Sequence, residues 1–533
     1  MKNLSFTCMI FIILYLPAGH SQNLKQPIDY VNVFTGTSNS RWMLFPGPVM
    51  PMGMVRLSPD NQLSSWCAGY EYNIHAVNGF SFIHSYMMNG PSIMPTTGHV
   101  KTYPGTADGP FGYHMWTAGY KSRIEKKNEI GEVGYYKVKL YDYNIDVELT
   151  ATTRCGVLRY KYPKSDKSNV LFKFLYPQEE YHAAIPEAFV RKSKENEIEG
   201  YIKYMVDGND YTVHFVSRFS KPFDVMGGFQ AHPYDGPEKR YGEDWKKPVD
   251  FHHNIFEFKG INDCGVFLTF NTSEGEIIQQ QVGISLVSVE QARLNLSSEL
   301  DKYNWDFDQV VTDCKSAWAK LLNNVEVTGN ENDKVKFYTS LYRVYAGRGV
   351  WSDVNGKYTD MCEREQQVYP PVDAVYGCDA FWGMQWNLTP LWTLLNPGLA
   401  GSWVNSLLEM NEKGGWLPKS PSGLEYADIM VAQHQISLIV AAYQKGIRNF
   451  DYDKAWEAVN YILTTPGKSH ECGGYAGNKN LKSYMELGYV SNEDGPVSNT
   501  MEYAYDDHCA AQFARVLGKT KEYHYFFKTV NEL

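Results

Sequence analysis

GPVSNTMEYAYDDHCAAQFARVLG, residues 495–518, sets three carboxylates into an aromatic and apolar background. Apolar residues recur at helical spacing, which predicts one helix with Ser498 as its N-cap and Gly518 as its C-terminal stop. Glu502 and Asp506 are four residues apart, so they share one face of that helix. Two carboxylates stacked in this way repel each other unless a nearby group binds them.

Glu502 is the candidate catalytic residue of this stretch. It lies in the first turn of the predicted helix, between Met501 and Tyr503. Apolar neighbours raise the pKa of a carboxyl group, as a general acid requires. The alternative interpretation is a capped helix with a solvated acidic face.

The N-terminus has the pattern of a secretory signal peptide, predicted over residues 1–22. Lys2 supplies the positive charge, Cys8 to Leu16 is apolar, and small residues follow. The apolar run is too short to span a membrane, so we expect an exported protein, periplasmic or extracellular. The nine cysteines contain no CxxC pair and no zinc-binding spacing. Export permits disulfides, although domains of this size do not need them.

Composition narrows the class of ligand. Aromatic residues make up 15% of the 533 residues, with 39 Tyr and 13 Trp. Such a content fits surfaces that stack on sugar rings, and it also fits a thick core with Tyr-rich loops. The net charge is −10 and no basic block is present, so nucleic acid and anionic membranes are poor partners.

The pattern along the chain predicts a multidomain β + α protein. Residues 23–288 contain alternating and β-branched runs without intervening helices, which indicates an antiparallel β-sandwich. Residues 289–330 indicate a helical linker with helices at Val289–Leu300 and Phe307–Leu322. Residues 331–533 indicate successive helices of an (α/α)6 toroid that is incomplete. Its predicted helices are Lys334–Val344, Phe381–Leu395, Ser402–Lys413, Ala427–Lys445, Tyr452–Leu463, Thr500–Leu517 and Lys521–Asn531.

Four loop-rich stretches combine Trp with Gly, Pro and a carboxylate or amide, which suits sugar hydroxyls. The substrate-binding candidates in them are Trp66, Cys67, Asp353, Cys378, Asp379 and Trp416. A tight turn with a packed Trp explains any single stretch equally well, and Asp353 and Asp379 could equally be turn or cap residues. His434 is interpreted as packed or structural, and Glu425 and Asp428 as the start of a helix.

Several motifs in order resemble glycoside hydrolase family 92 from about residue 29 onward. The N-terminal half carries YVNVFTGT (30–37), FPGPVMPMGMVRLSPD (45–60), GYEY (69–72) and ELTAT (148–152). The C-terminal half carries SDVNG (352–356), GWLP (415–418) and VSNTMEYAYDD (497–507). The resemblance implies a β-sandwich followed by an (α/α)6 toroid. It also implies an exported, calcium-dependent exo-α-mannosidase that inverts the anomeric centre and acts on terminal mannose of α-mannosides or high-mannose glycans.

The resemblance assigns Glu502 as the general acid and Trp66 as a contact of the mannose subsite. The family's base lies in a Gly-Asn-Asp-Asp type motif after the acid helix, and that motif has no counterpart before Leu533. The metal ligands are likewise unassigned. We therefore expect a chain truncated within its catalytic domain, inactive by itself if complete and active as part of a longer protein.

Two alternatives remain open at this stage. Inverting glucoamylases and sugar phosphorylases also pair a β-sandwich with a helical toroid. A non-catalytic glycan-binding remnant is the other reading, because the base is absent. His508 in place of a usual Trp, and Gly383 where many members carry Asp, leave the linkage open.

Overall fold

The structure is a computed structural model that describes most of the chain. The described residues are 25–38, 44–61, 69–85, 88–105, 119–174, 183–206, 210–232, 248–377, 380–421 and 425–531. The predicted signal peptide and four predicted substrate contacts, Trp66, Cys67, Cys378 and Asp379, lie outside these residues.

The first half of the chain forms two large antiparallel sheets. In spatial order, the first contains β1 (Ser58–Asp60), β3 (Gly79–Ser81), β4 (Ser92–Thr97), β10 (Ser165–Phe174), β17 (Cys264–Thr272), β14 (Val225–Ala231) and β15 (Val249–His252). The second contains β16 (Glu257–Gly260), β11 (Ala183–Lys194), β12 (Glu197–Val206), β13 (Tyr211–Phe219), β18 (Glu276–Ser285), β9 (Cys155–Tyr162), β8 (Ile145–Ala151), β7 (Tyr135–Leu140) and β6 (Ile130–Glu132). A short ribbon pairs β2 (Ala76–Val77) with β5 (Ser122–Arg123).

Aromatic side chains join the two sheets across the core. Phe172 of β10 stacks on Phe215 of β13 with ring centroids 5.9 Å apart. Phe270 of β17 packs on Phe219 of β13 at 5.4 Å. Alternating burial along β7 and β8 places one face of the second sheet in this core. The predicted antiparallel sandwich is therefore confirmed.

Two helices follow the last strand and match the predicted linker helices at both ends, namely α1 (Val289–Leu300) and α2 (Phe307–Leu322). Side chains of Ser288 and Asp306 cap their N-termini. Trp318 of α2 is fully buried, and its indole N–H donates to the Val49 carbonyl at 2.6 Å. This bond ties α2 to the β domain.

The remaining chain is helical with three short two-stranded ribbons. The helices are α3 (Glu331–Ala346), α4 (Leu388–Leu395), α5 (Pro397–Gly414), α6 (Gln435–Gln444), α7 (Tyr452–Thr464), α8 (Leu481–Leu487), α9 (Val497–Val516) and α10 (Thr520–Asn531). The ribbons pair β19 (Gly349–Val350) with β22 (Tyr376–Gly377), β20 (Lys357–Thr359) with β21 (Glu365–Gln367), and β23 (Lys468–Ser469) with β24 (Tyr475–Ala476). An antiparallel β domain followed by a helical domain confirms the predicted fold class, while the boundaries at 288 and 330 stay predictions.

Two predicted helices were too long. The segment Ala427–Lys445 is helical only from Gln435, because Met430 and Ala432 adopt left-handed backbone angles. The segment Phe381–Leu395 is α-helical only from Leu388 onward. In both segments the apolar spacing extends beyond the helix. The backbone there has another conformation, which tertiary contacts hold.

The start of α9 also differs from the prediction, because the helix begins at Val497 after Pro496 and Ser498 lies inside it. None of the described helices combines the length and apolarity that crossing a membrane requires.

Candidate active site

Glu502 faces a buried histidine. His434 Nε2 lies 2.8 Å from Glu502 Oε2, and His434 Nδ1 lies 3.1 Å from Asp506 Oδ1. The first contact has the distance of an ion pair without the alignment of a hydrogen bond. The two carboxylates stacked on α9 therefore share one imidazole, which is the partner that their spacing required.

The segment before α6 positions His434. Its left-handed residues Met430 and Ala432 turn the chain so that the Gln433 N–H donates to Asp506 Oδ2 at 2.6 Å. Asp506 is fully buried and accepts from this amide and from the imidazole. Uncommon backbone angles such as these occur where surrounding structure imposes them, often next to functional groups.

Lys419 supports the same segment from the preceding loop. Its ammonium contacts the Asp428 carboxylate and donates to the Met430 carbonyl at 3.1 Å. Burial lowers the pKa of Lys419, although the Asp428 charge opposes this. Asp428 also pairs with Lys479 and lies outside any helix, so its interpretation as a helix start was wrong.

Charge and exposure differ among the three groups. Burial lowers the pKa of His434, but the hydrogen bond and charge of Asp506 and the charge of Glu502 outweigh burial and raise it. The side chains of His434 and Asp506 are 0% exposed, whereas that of Glu502 is 24% exposed. Glu502 is therefore the member of the set that solvent, or a ligand, can reach.

Asp507 points elsewhere and is held by helices α8 and α10. Its Oδ2 accepts from the Tyr484 hydroxyl at 3.0 Å and from the Thr529 hydroxyl at 2.8 Å. Burial raises the pKa of Asp507 to about 7. These contacts indicate that Asp507 joins helices rather than facing a substrate.

The other two described candidates are buried. Asp353 accepts from Ser285 Oγ at 2.8 Å and from Asn295 Nδ2 at 2.6 Å, which joins the loop after β19 to β18 and α1. Burial raises the pKa of Asp353 to about 6. The Trp416 ring packs on Tyr461 with centroids 4.9 Å apart. The predicted sugar contacts of Asp353 and Trp416 stay predictions.

Within the described residues, one group of three metal-ligand side chains comes together, namely Cys362, His470 and Cys472. Cys362 and Cys472 form a disulfide. Calcium binds carboxylate, carbonyl and amide oxygens, so this sulfur and nitrogen set does not fit it. This group therefore offers calcium no ligand set.

His434 was interpreted as packed or structural, and it is buried, but its contacts with Glu502 and Asp506 were not predicted. The signal in the sequence was the polar run Gln433-His434-Gln435 directly before an apolar helix. In the structure all three of these polar residues are buried. Buried polar side chains require partners, and here the partners include Asp506.

Comparison with known proteins finds related domains over nearly the whole chain. Residues 30–285 match the Glycosyl hydrolase family 92 N-terminal domain, and residues 291–532 match the Glycosyl hydrolase family 92 catalytic domain. An uncharacterized secreted glycosidase of Arthroderma benhamiae is 23% identical over 95% of this chain.

Among solved structures, a family GH92 α-mannosidase of Bacteroides thetaiotaomicron is 27% identical with a TM-score of 0.81 and covers 95% of this chain. The same mannosidase has been solved in complex with mannoimidazole. A family GH92 inverting mannosidase of that organism is 23% identical with a TM-score of 0.79 over 96% of this chain.

The chain spans less than two thirds of these relatives, namely 61% of the Arthroderma protein and 65% of each of the two Bacteroides structures. The two domain matches follow one another along nearly the whole chain in the order of the family. The chain belongs to glycoside hydrolase family 92.

Proposed function

We propose that this chain is part of an exported α-mannosidase that releases terminal α-linked mannose from glycans by an inverting acid/base mechanism. The substrate is an α-mannoside or a high-mannose glycan, such as an N-glycan or mannan. The observation that carries the proposal is Glu502, which stands in the Glu-Tyr-Ala-Tyr-Asp-Asp string of α9, pairs with His434 and reaches solvent.

Three findings support the substrate and the location. The chain belongs to a glycosidase family, and a structural relative at 27% identity is an α-mannosidase. That relative binds mannoimidazole. The Arthroderma relative is described as secreted, in line with the predicted signal peptide.

In the proposed reaction Glu502 donates its proton to the glycosidic oxygen as the bond to the anomeric carbon breaks. A carboxylate on the opposite face of the sugar then has to activate water. Asp506 does not suit this role because it is buried and engaged by His434 and Gln433. Asp507 is engaged by Tyr484 and Thr529. We assign the base to no described residue.

Calcium dependence is proposed only because the chain belongs to this family. When bound, the ion would hold sugar hydroxyls through oxygen ligands and assist distortion of the ring. Proton donation by Glu502 is proposed independently of the ion.

A substrate panel tests the proposal. The protein expressed from its full gene is incubated with α-1,2-, α-1,3- and α-1,6-linked mannobiose and with α-glucosides, with and without phosphate, in calcium and in chelator. We expect free mannose, formed first as the β-anomer by NMR, and less of it in chelator. Release of glucose or glucose 1-phosphate instead contradicts the proposal. Protection from thermal unfolding by mannosides without any product indicates a binding protein.

A further inference from the structure

Three side chains in contact lead from solvent into the buried interior at Glu502. Glu502 Oε2, the His434 imidazole and Asp506 Oδ1 follow one another at 2.8 and 3.1 Å. Asp506 also accepts from the backbone N–H of Gln433 at 2.6 Å. Glu502 contacts solvent at one end, and Asp506 is fully enclosed at the other.

The enclosed end fixes the orientation of the imidazole. Asp506 Oδ2 already accepts the Gln433 N–H, which leaves Oδ1 as the acceptor that faces the imidazole. His434 Nδ1 must then carry a hydrogen and donate it to Asp506. The ring nitrogen that remains free to gain or lose a proton is Nε2, which faces Glu502.

At 2.8 Å, the contact between Nε2 and Glu502 is short enough to hold one further proton after a small realignment. The proton lies either on Nε2, which gives an imidazolium beside a carboxylate, or on Glu502, which gives a neutral imidazole beside a carboxylic acid. Both forms have the same net charge. The ionisable groups facing His434 within the described residues are Glu502, Asp506 and the Tyr505 ring, all of them on α9.

We propose that His434 is a positioning residue that shares with Glu502 the proton delivered to the leaving group, while Asp506 fixes the imidazole's tautomer. This inference rests on the proposed function for the identity of the acid. In the step itself, the proton on Glu502 moves to the glycosidic oxygen as the electron pair of the anomeric C–O bond passes to that oxygen, while a water oxygen bonds to the anomeric carbon from the opposite face and gives up one proton. Glu502 is left as a carboxylate beside neutral His434, and one proton from water restores the pair.

Titration of the histidine tests the sharing without any turnover. Histidines are labelled with ¹⁵N, and the His434 signal is assigned by its loss in His434→Gln. We expect His434 in the wild type to titrate above the ordinary histidine pKa of about 6.5. We expect Glu502→Gln and Asp506→Asn each to move that titration down by about one pH unit or more. His508→Gln, the same substitution at an exposed site on the same helix, is the matched control and leaves it unchanged.

Activity gives the second readout. If the protein releases mannose, His434→Gln moves the alkaline limb of the kcat/KM profile toward lower pH by about one unit, because the imidazole that shares the proton is replaced by an amide. A purely structural histidine would lower activity equally at every pH.

The two hypotheses fail separately. A His434 titration that is the same in Glu502→Gln as in the wild type overturns the sharing, whatever the activity. Coupled titration in a protein that hydrolyses no mannoside supports the sharing and contradicts only the proposed function.

Discussion

Asp507 allows a prediction in which two opposing free energies can be compared. Burial raises its pKa from 3.8 to about 7. The protonated Asp507 side chain therefore contributes to the free energy of unfolding, and this contribution is fully present below pH 3.8. It falls as the pH rises and is lost once the pH has passed through 7. At about 1.4 kcal/mol for each pH unit, the loss above pH 7 is about 4 kcal/mol.

Asp507→Asn removes this pH dependence and introduces one cost. The amide oxygen can still accept from Tyr484 and Thr529, which both donate to a single oxygen of Asp507. The new NH2 group has no partner assigned and costs roughly 1–3 kcal/mol when buried. We therefore expect the variant to be less stable than the wild type near pH 4 and more stable at pH 8, with the two curves crossing in between.

Urea unfolding followed by the fluorescence of the 13 tryptophans measures this at several pH values. Asp166→Asn, at an exposed position in β10, is the matched control and should run parallel to the wild type. If Asp507→Asn keeps the wild-type pH dependence between pH 5 and 8, the assignment of a raised pKa to Asp507 is refuted.

Three further predictions concern the scaffold. Trp318→Ala should cost about 3–5 kcal/mol of unfolding free energy, because a fully buried indole is removed; calorimetry with and without the change measures it. Joint replacement of Cys362 and Cys472 by serine should lower stability by up to about 4–5 kcal/mol, because the disulfide closes a loop over a sequence separation of 110 residues; urea unfolding of both proteins measures the loss. Gly69→Ala should lower the melting temperature, because Gly69 has φ +75° and an added Cβ would lie 2.5 Å from Asp60 Oδ1; an unchanged melting temperature would contradict this.

Local signals in the sequence determined much of the scaffold. Helices α1 and α2 begin and end at the residues predicted from the apolar spacing. The strand-rich pattern predicted for residues 23–288 is seen in β8 (Ile145–Ala151), where buried and partly exposed side chains alternate over the first five residues. Such elements depend on neighbours close in sequence, which a single chain displays.

The candidate site depends on contacts between distant residues, and there the sequence was less informative. Glu502 could be selected because the family motif and helical spacing mark it, but its partner could not. His434 meets Asp506 across a separation of 72 residues. The predicted helix through Met430 failed for the same reason, since left-handed residues there follow from how Gln433 reaches Asp506. Neither helical propensity nor apolar periodicity carries that information.

The most direct test of the account is the leaving-group dependence of Glu502→Gln in the full-length protein. A general acid matters most when the departing oxygen is a poor leaving group, as in a mannobiose, and little when it is a nitrophenolate. Glu493→Gln, at an exposed loop position, serves as the matched control. We predict that Glu502→Gln loses at least about 100-fold in kcat/KM on mannobiose and far less on 4-nitrophenyl α-mannoside. Equal losses on both substrates, or no loss on either, would contradict the assignment of Glu502 as the acid.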